Sequence, residues 1–387
     1  MTPAPSLPLV TLVTPSFNQA RFLRSAIESV LVQDHPRIEY VVVDGGSTDG
    51  SVDILASFGG RVTWCSEPDN GQAHAINKGL RGSRGEIVGW LNGDDVLAPG
   101  AVSAVVKAFE AHPEIGLVYG NGSILDEEGR VVRRFHEIEP FSAWRLLYGL
   151  DYILQPAAFF RRDALMRAGW LDERLNFALD WDLWIRLAAC SEVAYLDEEL
   201  AGSRVHASTK TSTGGWPRVR ELGRLTRRHT GRFWTPGVQL YALDTLGQRL
   251  TSAGPTWLRR MATLIQGRMA SRVVQRMGLH ADGWLSPRGR VAVPRRWQGA
   301  EILLEAHRLP PAGPLSVTVE ADGRVLARVR VERAGPFAVR VALPEGQRPF
   351  VELRVSTNFS FIARPDPRRL AVRCAGLRPM QVEAAQS

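Results

Sequence analysis

The 387-residue sequence has few cysteines, three in all, and they lie far apart at Cys65, Cys190 and Cys374. That spacing fits neither a disulfide framework nor a zinc site, so we expect a reducing compartment. Residues 1–8 have neither the charged start nor the apolar stretch of a secretory signal. No run of about 18 apolar residues occurs either. We therefore expect a cytoplasmic protein whose only membrane contact would be peripheral, at the inner face.

Two nucleotide-binding signatures are also absent. The sequence contains no dinucleotide-binding GxGxxG and no P-loop, because no Gly-Lys-Ser/Thr follows its glycines. No signature of DNA or RNA binding occurs, so we expect no nucleic acid partner. The formal net charge is +8, mostly from arginine, and the excess concentrates after residue 200. Phosphate-bearing substrates and an anionic membrane surface fit that charge, and a solvated basic surface without a partner fits it equally well.

The first 120 residues alternate short apolar runs, typical of strands, with amphipathic stretches at helical spacing. The apolar runs are 9–13, 38–43, 61–65, 87–91 and 116–119, with a later short one at 193–196. This alternation predicts an α/β domain with a mostly parallel sheet sandwiched by helices. Ligands bind such sheets at the carboxyl ends of the strands. Polar clusters follow four of the runs, at 14–18, 44–51, 67–70 and 92–95.

Beyond residue 215 the residue pattern of the sequence changes. Residues 216–282 are basic and helical in pattern, and apolar and arginine residues interleave at helical spacing in 257–277. That stretch fits either an interfacial membrane helix or, as we favour, a linker helix packed on a neighbouring domain. From residue 283 onward, short alternating runs and regular turns predict an antiparallel β-sandwich. We thus predict a catalytic domain at 1–215, a linker at 216–282 and an accessory sandwich at 283–387.

An acidic pair, Asp94 and Asp95, directly follows an apolar run. Two adjacent carboxylates at a strand end repel each other unless something neutralises them. Mg²⁺ and Mn²⁺ do so through oxygen ligands, commonly one or two carboxylates together with substrate phosphates. The alternative is that the pair makes a turn and caps the helix predicted after Pro99.

Two segments between these runs carry side chains suited to a nucleotide ligand. Asp44 ends a buried run, where its carboxylate can accept a hydrogen bond from a base N–H, and the glycines after it allow close approach. In the segment 69–79, Gln72 and Asn77 are placed to face a donor and Lys78 to meet a phosphate.

Two later segments carry candidate reactive groups. Asp180 and Asp182 lie at a predicted helix start. A carboxylate there can act as general base, although N-capping is the favoured reading of that segment alone. His206 follows a short predicted strand and leads into a polar loop, where it can ligate a metal or contact a diphosphate.

Taken in this order, the segments resemble the inverting family 2 glycosyltransferases of the GT-A fold, over about residues 8–212. The most specific matches are Thr14-Pro15-Ser16-Phe17-Asn18, Asp44-Gly-Gly-Ser-Thr-Asp49-Gly-Ser, Asn92-Gly-Asp94-Asp95 and Asp180-Trp-Asp182-Leu-Trp. The resemblance implies a nucleotide-sugar donor, a metal-binding DxD site and an acceptor base.

The resemblance also assigns roles to residues of this chain. It implies that the donor nucleotide is held by Pro15, Phe17, Asn18, Asp44, Gly46, Ser47, Asn92, Gly93 and Asp94. It implies that Asp94 and Asp95 hold Mn²⁺ or Mg²⁺ with His206, and that Asp180 is the catalytic base. Asn92 stands where the family often has aspartate, so metal binding relies on the two acids after it. Gln155-Pro156 resembles an acceptor-side loop.

The implied reaction is a metal-dependent single displacement, in which a sugar moves from a nucleotide-diphosphate sugar to a hydroxyl of a glycan or lipid-linked acceptor. Assembly of cell-envelope polysaccharide is the setting that the resemblance favours. A non-catalytic carbohydrate-binding scaffold with a relic GT-A domain is the alternative from another class. A nucleotidyltransferase ranks lower, because 14–18 lacks the glycine-rich basic loop that holds a triphosphate. The donor sugar and the oligomeric state stay open.

Overall fold

The computed structural model describes residues 7–135, 138–207, 209–252, 269–270, 273, 277–280, 282–362 and 368–380. The chain divides into two compact units. Unit 1 holds the described residues up to Phe141 and Asp151–Gly214, and unit 2 holds Ser142–Leu150 and the residues from Gly215 onward. The predicted bounds of the catalytic domain, the linker and the accessory domain stay predictions, and unit 2 also includes Ser142–Leu150 from within the predicted catalytic domain. Most of the predicted basic helix 257–277 lies outside the described residues.

The helices in chain order are α1 Ala20–Leu31, α2 Ser51–Ser57, α3 Gln72–Arg81, α4 Ala101–Ala111, α5 Ala143–Tyr148, α6 Arg162–Ala168, α7 Leu179–Cys190, α8 Lys210–Thr213, α9 Gly215–Thr230 and α10 Pro236–Ser252. The strands are β1 Val10–Ser16, β2 Ile38–Asp44, β3 Thr63–Ser66, β4 Ile87–Trp90, β5 Val96–Leu97, β6 Ile115–Leu125, β7 Val131–Arg134, β8 Ala158–Arg161, β9 Glu192–Arg204, β10 Arg288–Pro294, β11 Gly299–Ala306, β12 Leu315–Ala321, β13 Arg324–Val331, β14 Gly335–Ala342, β15 Phe350–Thr357, β16 Phe361–Ile362, β17 Arg369–Leu370 and β18 Arg373–Pro379.

Unit 1 is built on a nine-stranded sheet in the order β3-β2-β1-β4-β8-β6-β9-β5, with β7 paired to β6. Strands β3, β2, β1 and β4 run parallel, as do β6 and β9, whereas β8, β5 and β7 join antiparallel. Apolar residues of β1, β2 and β4 are buried against those of α1 and α4. The predicted α/β class is confirmed, with the parallel strands where the apolar runs alternate with helices.

A glycine fixes the position of α3, whose first residue is Gln72. A Cβ at Gly79 would lie 2.5 Å from Cγ1 of Val13 in β1, so only a hydrogen at this position lets the helix lie this close to the sheet. The start of α3 is thereby held beside the carboxyl ends of the central strands.

Two strands are longer than the sequence patterns predict. The run 116–119 is part of the eleven-residue β6, and 193–196 is part of the thirteen-residue β9. They pair in parallel as far as Leu125 and Arg204, with register shifts near Gly120 and Gly122. The extension of β9 carries Arg204 and His206 to the turn after β4, as described below.

Unit 2 contains α5, α9, α10 and antiparallel strands. One sheet has the order β10-β15-β12-β13, a second has the order β14-β11-β18, and β16 pairs with β17. Alternate residues of β12 are buried, which is the period-two pattern of a strand with one face on a core. The predicted antiparallel β-domain is confirmed. No helix among the described residues is long and apolar enough to span a bilayer.

Candidate functional site

The turn after β4 carries the predicted acidic pair, and its two carboxylates have different surroundings. Asp95 is buried, with Oδ1 accepting the backbone N–H of Arg204 at 2.9 Å and Oδ2 accepting Nδ2 of Asn92 at 3.0 Å. Burial and then the negative charge of Asp94 raise the pKa of Asp95 to about 7. Oδ2 of Asp94 instead lies 3.0 Å from Nε2 of His206. The N-cap of α4 is Gly100, so neither acid caps that helix.

Arg204, at the end of β9, holds this turn in place. Its side chain is buried and its Nε donates to the carbonyl of Asp94 at 2.9 Å. The same guanidinium donates to the carbonyls of Asp126 and Glu127. The ring of Phe22 lies 5.1 Å from the Arg204 guanidinium carbon and 4.8 Å from the centre of the His206 ring. The acidic turn and His206 are therefore fixed by β9 and α1 together.

A chain of amide side chains connects this turn to three other segments. Nε2 of Gln72 donates to Oδ1 of Asn92 at 2.7 Å, and Nδ2 of Asn92 donates to Oε1 of Gln155 at 2.8 Å. Nζ of Lys210 donates to Oε1 of Gln72 and to Oδ1 of Asn176, both at 2.9 Å. The start of α3, the turn after β4, the start of β8 and the segment before α7 thus meet in one hydrogen-bonded cluster.

The helix α7 places Asp180 at the same end of the sheet. Trp184 lies one turn after Asp180 and stacks on Trp90, the last residue of β4, with ring centres 5.4 Å apart. Asp180 is half-buried in the first turn of the helix, where the helix dipole favours a negative charge. Its Oδ1 accepts the N–H of Trp181 at 2.8 Å.

Neither Asp180 nor Asp182 is the N-cap residue of α7. Ala178 is the N-cap of α7, and it has no capping side chain. Asp182 is 1% exposed and pairs with Arg186 at 2.8 Å, while Nη1 of Arg186 donates to the carbonyls of Ala168 and Gly169. Asp182 therefore ties α7 to the end of α6.

The predicted nucleotide loops after β1 and β2 are joined to each other. Oδ2 of Asp44 accepts the N–H groups of Gly46 and Ser47, at 3.1 and 2.8 Å. Burial raises the pKa of Asp44, but hydrogen bonds from Ser47 and Ser66 outweigh it and hold the pKa below the usual 3.8. The N–H of Asn18 donates to Oγ of Ser47 at 2.8 Å. Asp44 thus organises the loop that contains the predicted donor contacts.

An exposed aromatic ring lies at this pair of loops. Phe17 follows β1, which includes Pro15, and is 62% exposed. A Cβ at Gly45 would lie 3.3 Å from Cδ2 of Phe17 and 2.9 Å from Oδ2 of Asp69. The ring, the glycine backbone and the Asp69 carboxylate therefore border one small space.

Two of the predicted donor contacts are engaged elsewhere. Nδ2 of the buried Asn77 donates to the carbonyl of Leu171 at 2.9 Å and to Oε1 of Glu173 at 2.8 Å, and its Oδ1 accepts the N–H of Leu171. Lys78 forms an ion pair with Glu67 at the surface. Asn77 holds the 171–173 segment against α3, and a donor contact by either residue stays a prediction.

Comparison with known proteins assigns the region that holds this cluster. Residues 11–169 match the family model described as "Glycosyl transferase family 2". This region belongs to glycosyl transferase family 2. The family 2 region covers β1 to α6 and contains Asp94, Asp95 and Asn92, while Asp180 and His206 lie after the matched residues.

Similar proteins extend the match beyond the family model. An uncharacterized glycosyltransferase of Rickettsia prowazekii is 29% identical over 217 residues, 53% of this chain and 67% of that protein. An O-antigen biosynthesis protein of Myxococcus xanthus, RfbC, is 34% identical over 220 residues, 54% of this chain and 16% of that much longer protein. A Staphylococcus aureus TarS structure, residues 1–349 with UDP-GlcNAc, matches with a TM-score of 0.47 at 15% identity, covering 69% of this chain and 80% of that one.

The turn after β4 and the segment after β9 bring two candidate metal ligands together. Among the described residues, no group of three His, Cys, Asp or Glu side chains is placed to hold an ion. Asp94 and His206 contribute one carboxylate and one imidazole, and the carboxylate is a donor that suits Mg²⁺ and Mn²⁺. Because Mg²⁺ and Mn²⁺ commonly take one or two protein carboxylates and complete their shell with phosphate oxygens and water, this donor set fits a cation bound jointly with a diphosphate.

Several residues of this cluster were not singled out from the sequence. Asn176 lies in a turn whose sequence carries no distinctive pattern, and Asp69 was noted only as part of the polar cluster 67–70, without a role. Gln155 was noted only for its resemblance to an acceptor-side loop, yet it contacts both Asn92 and the carbonyl of Trp90. The Gln-Pro pair before an apolar run was the one local signal available for it.

Proposed function

We propose that this chain is an inverting glycosyltransferase that moves a sugar from a nucleotide-diphosphate sugar to a hydroxyl acceptor. Family membership supports the reaction class. The observation that carries the proposal is the pairing of Asp94 with His206 at 3.0 Å, beside the amide cluster and at the end of the sheet where α7 presents Asp180. The reaction needs the donor diphosphate and the acceptor hydroxyl side by side, so it needs a place where metal ligands, hydrogen-bonding amides and a base come together.

The donor nucleotide would occupy the loops after β1 and β2. The exposed ring of Phe17 offers a stacking surface for a base, and a carboxylate such as Asp69 can accept a base N–H. The loop held by Asp44 would present Gly46 and Ser47 to the nucleoside, since backbone at a glycine allows close approach. Gln72 and Asn92 would lie on the side of the diphosphate and sugar.

Asp94 and His206 would hold a divalent cation together with the diphosphate, and the cation would supply positive charge for the departing nucleoside diphosphate. Asp95 remains a predicted ligand, although its oxygens accept hydrogen bonds from Arg204 and Asn92. Asp180 would take the proton of the acceptor hydroxyl as its oxygen attacks the anomeric carbon, and a single attack inverts that carbon. A positioned base contributes roughly 10²–10⁴-fold to rate.

The proposed acceptor class rests on the name of one relative rather than on the site. The M. xanthus relative is named for O-antigen biosynthesis. That supports a role in assembling a cell-surface glycan, with a glycan or lipid-linked saccharide as acceptor and a cytoplasmic site of action.

The test compares two Asp→Asn variants. Asp180→Asn should keep fold and donor binding yet lose transfer by about 10²–10⁴-fold. Asp163→Asn is the matched control, because Asp163 also lies in the first turn of a helix and accepts the next residue's N–H, at 2.7 Å, but belongs to the exposed α6 ion pair with Arg167. Transfer and hydrolysis would be measured with UDP-, GDP- and dTDP-sugars and Mn²⁺, and donor binding by thermal shift.

The outcomes separate the hypotheses. Loss of turnover in Asp180→Asn alone supports the assignment, and near wild-type turnover in that variant removes Asp180 from the role of base. If the wild-type protein is stabilised by a saccharide but neither transfers nor hydrolyses any nucleotide sugar, the non-catalytic scaffold is the better description.

A further inference from the structure

Helix α9 in unit 2 has a buried apolar face and a basic outer face. Val219, Leu222 and Leu225 are buried. Arg220, Arg224 and Arg227 are exposed. Residues four and three positions apart lie on one face of a helix, so these three side chains form a continuous stripe, here called the arginine face.

In the part of the chain that the structure describes, the arginine face forms no ion pairs. No ion pair among the described residues involves Arg220, Arg224 or Arg227, whereas Arg232 and Arg290 in the same unit both pair with Glu352. Like charges three and four residues apart destabilise a helix. The helix dipole favours a cation in the last turn, which accounts for Arg227 but not for the two arginines before it. An external anion would relieve this repulsion.

An exposed tryptophan lies in the turn after α9. Trp234 is 56% exposed, and its ring packs edge-to-face on Phe233 with centres 5.3 Å apart. Phe233 in turn lies on Gly223 of α9, where a Cβ would come within 2.4 Å of its Cζ. The turn is therefore anchored to the helix through Phe233, and Trp234 stays at the surface.

We propose that the arginine face and Trp234 bind the surface of an anionic lipid bilayer. Arginines attract acidic headgroups, and tryptophan is enriched at the membrane interface because its ring is apolar and its N–H is polar. A single-stranded nucleic acid would need a groove with successive stacking rings. Trp234 is the one strongly exposed aromatic side chain in the described part of α9, α10 and the turn between them. The binding does not depend on the transferase assignment.

The expected change in membrane affinity can be estimated from the number of charges removed. One basic residue near an anionic membrane contributes about fivefold to affinity, so removing three should weaken binding by about 100-fold. The attraction is screened by salt, and binding should fall as the ionic strength rises above about 0.1 M.

The experiment uses the full chain and vesicle co-sedimentation. Vesicles of phosphatidylcholine alone are compared with vesicles containing about one third phosphatidylglycerol. The test variant is Arg220→Gln, Arg224→Gln, Arg227→Gln. The matched control is Arg324→Gln, Arg328→Gln, Arg330→Gln, which removes three exposed arginines of β13 in the same unit that also lack ion pairs among the described residues. Trp234→Ala tests the aromatic contribution, and a thermal melt of each variant checks that it is folded.

Binding to the acidic vesicles only, lost in the α9 variant and kept in the β13 variant, supports the proposal. Weaker binding by Trp234→Ala to the same vesicles supports it further. Equal loss in both triple variants would show that net charge alone acts. Absence of wild-type binding, or displacement of the vesicles by short single-stranded DNA at equal mass, would overturn the assignment to a bilayer.

Discussion

Replacing Asn92 by aspartate would restore the acid that family 2 enzymes often have at this position, and we expect it to harm this protein. Nδ2 of Asn92 donates to Oδ2 of the buried Asp95 at 3.0 Å and to Oε1 of Gln155 at 2.8 Å. Asn92→Asp removes both donors and puts a second carboxylate against a buried one. The structure therefore predicts the opposite of what the family pattern suggests.

The size of the effect follows from these distances. Two charges 3.0 Å apart repel by about 5 kcal/mol at an effective dielectric constant of about 20. Because the pKa of Asp95 is already raised to about 7, a proton on that acid relieves this repulsion at little added cost near pH 7, and the repulsion acts in full only at higher pH. The unpaired Gln155 oxygen adds about 1–3 kcal/mol. Because wild-type Asp95 loses its proton above about pH 7 while two adjacent acids resist losing both protons, the destabilisation should grow as the pH rises above about 7.

The assay is chemical denaturation without metal at several pH values, with Asn70→Asp as control. Asn70 is exposed, so the same chemical change there should alter the free energy of unfolding by no more than about 0.5 kcal/mol. The reasoning would be refuted by an Asn92→Asp protein as stable as the wild type at pH 7. Tighter Mn²⁺ binding in the absence of nucleotide would refute it equally.

Three further predictions concern residues that position the site. Asn77→Ala removes the buried amide that bonds to Leu171 and Glu173, so it should lower the unfolding free energy by about 2–3 kcal/mol in urea titrations; a change below that of a surface asparagine would contradict it. Gly79→Ala places a methyl group 2.5 Å from Val13 and should cost about 1–3 kcal/mol, whereas Gly82→Ala, with its nearest atom at 3.5 Å, should cost far less. Hydrogen bonds from Ser47 and Ser66 hold the pKa of Asp44 below 3.8, so ionised Asp44 stabilises the fold above about pH 4, and this stabilisation is lost as the pH falls through the folded-state pKa. In thermal melts, the Asp44→Asn variant should therefore lose less stability on acidification than the wild type does. Equal losses in the two proteins would argue against this role of Asp44.

The elements that the sequence predicts well are those with continuous local patterns. Apolar runs such as 38–43 became strands within a residue or two, and 101–111 is a helix with the expected bounds. The outer halves of β6 and β9 were not predicted, because Gly120, Gly122 and the acidic stretch 197–199 are poor strand residues. Pairing with each other holds them extended. A Cβ at Gly122 would lie 2.5 Å from the carbonyl oxygen of Ala201, so the glycine is needed where these backbones approach.

The same distinction between local patterns and long-range contacts applies to the candidate site. The acids at 94, 95 and 180 were predictable because each follows a readable local pattern. The partners that fix their environment were not, since Asn92 meets Gln155 and Gln72 meets Lys210 across 63 and 138 positions of sequence. Such contacts depend on how β9, α3 and α7 are brought together, and no local spacing encodes that.

The acidic pair itself illustrates why adjacent residues rarely share one task. Asp94 and Asp95 lie in the turn after β4, and their side chains have different partners. Here one carboxylate is buried, takes hydrogen bonds from Arg204 and Asn92 and fixes the turn, while Asp94 meets His206. The charge of Asp94 contributes to the raised pKa of Asp95. Removing the charge of Asp94 should therefore lower the free-energy cost of burying an ionised Asp95. If Asp94→Asn loses activity without losing stability, Asp94 serves ligand binding and Asp95 serves to hold the turn.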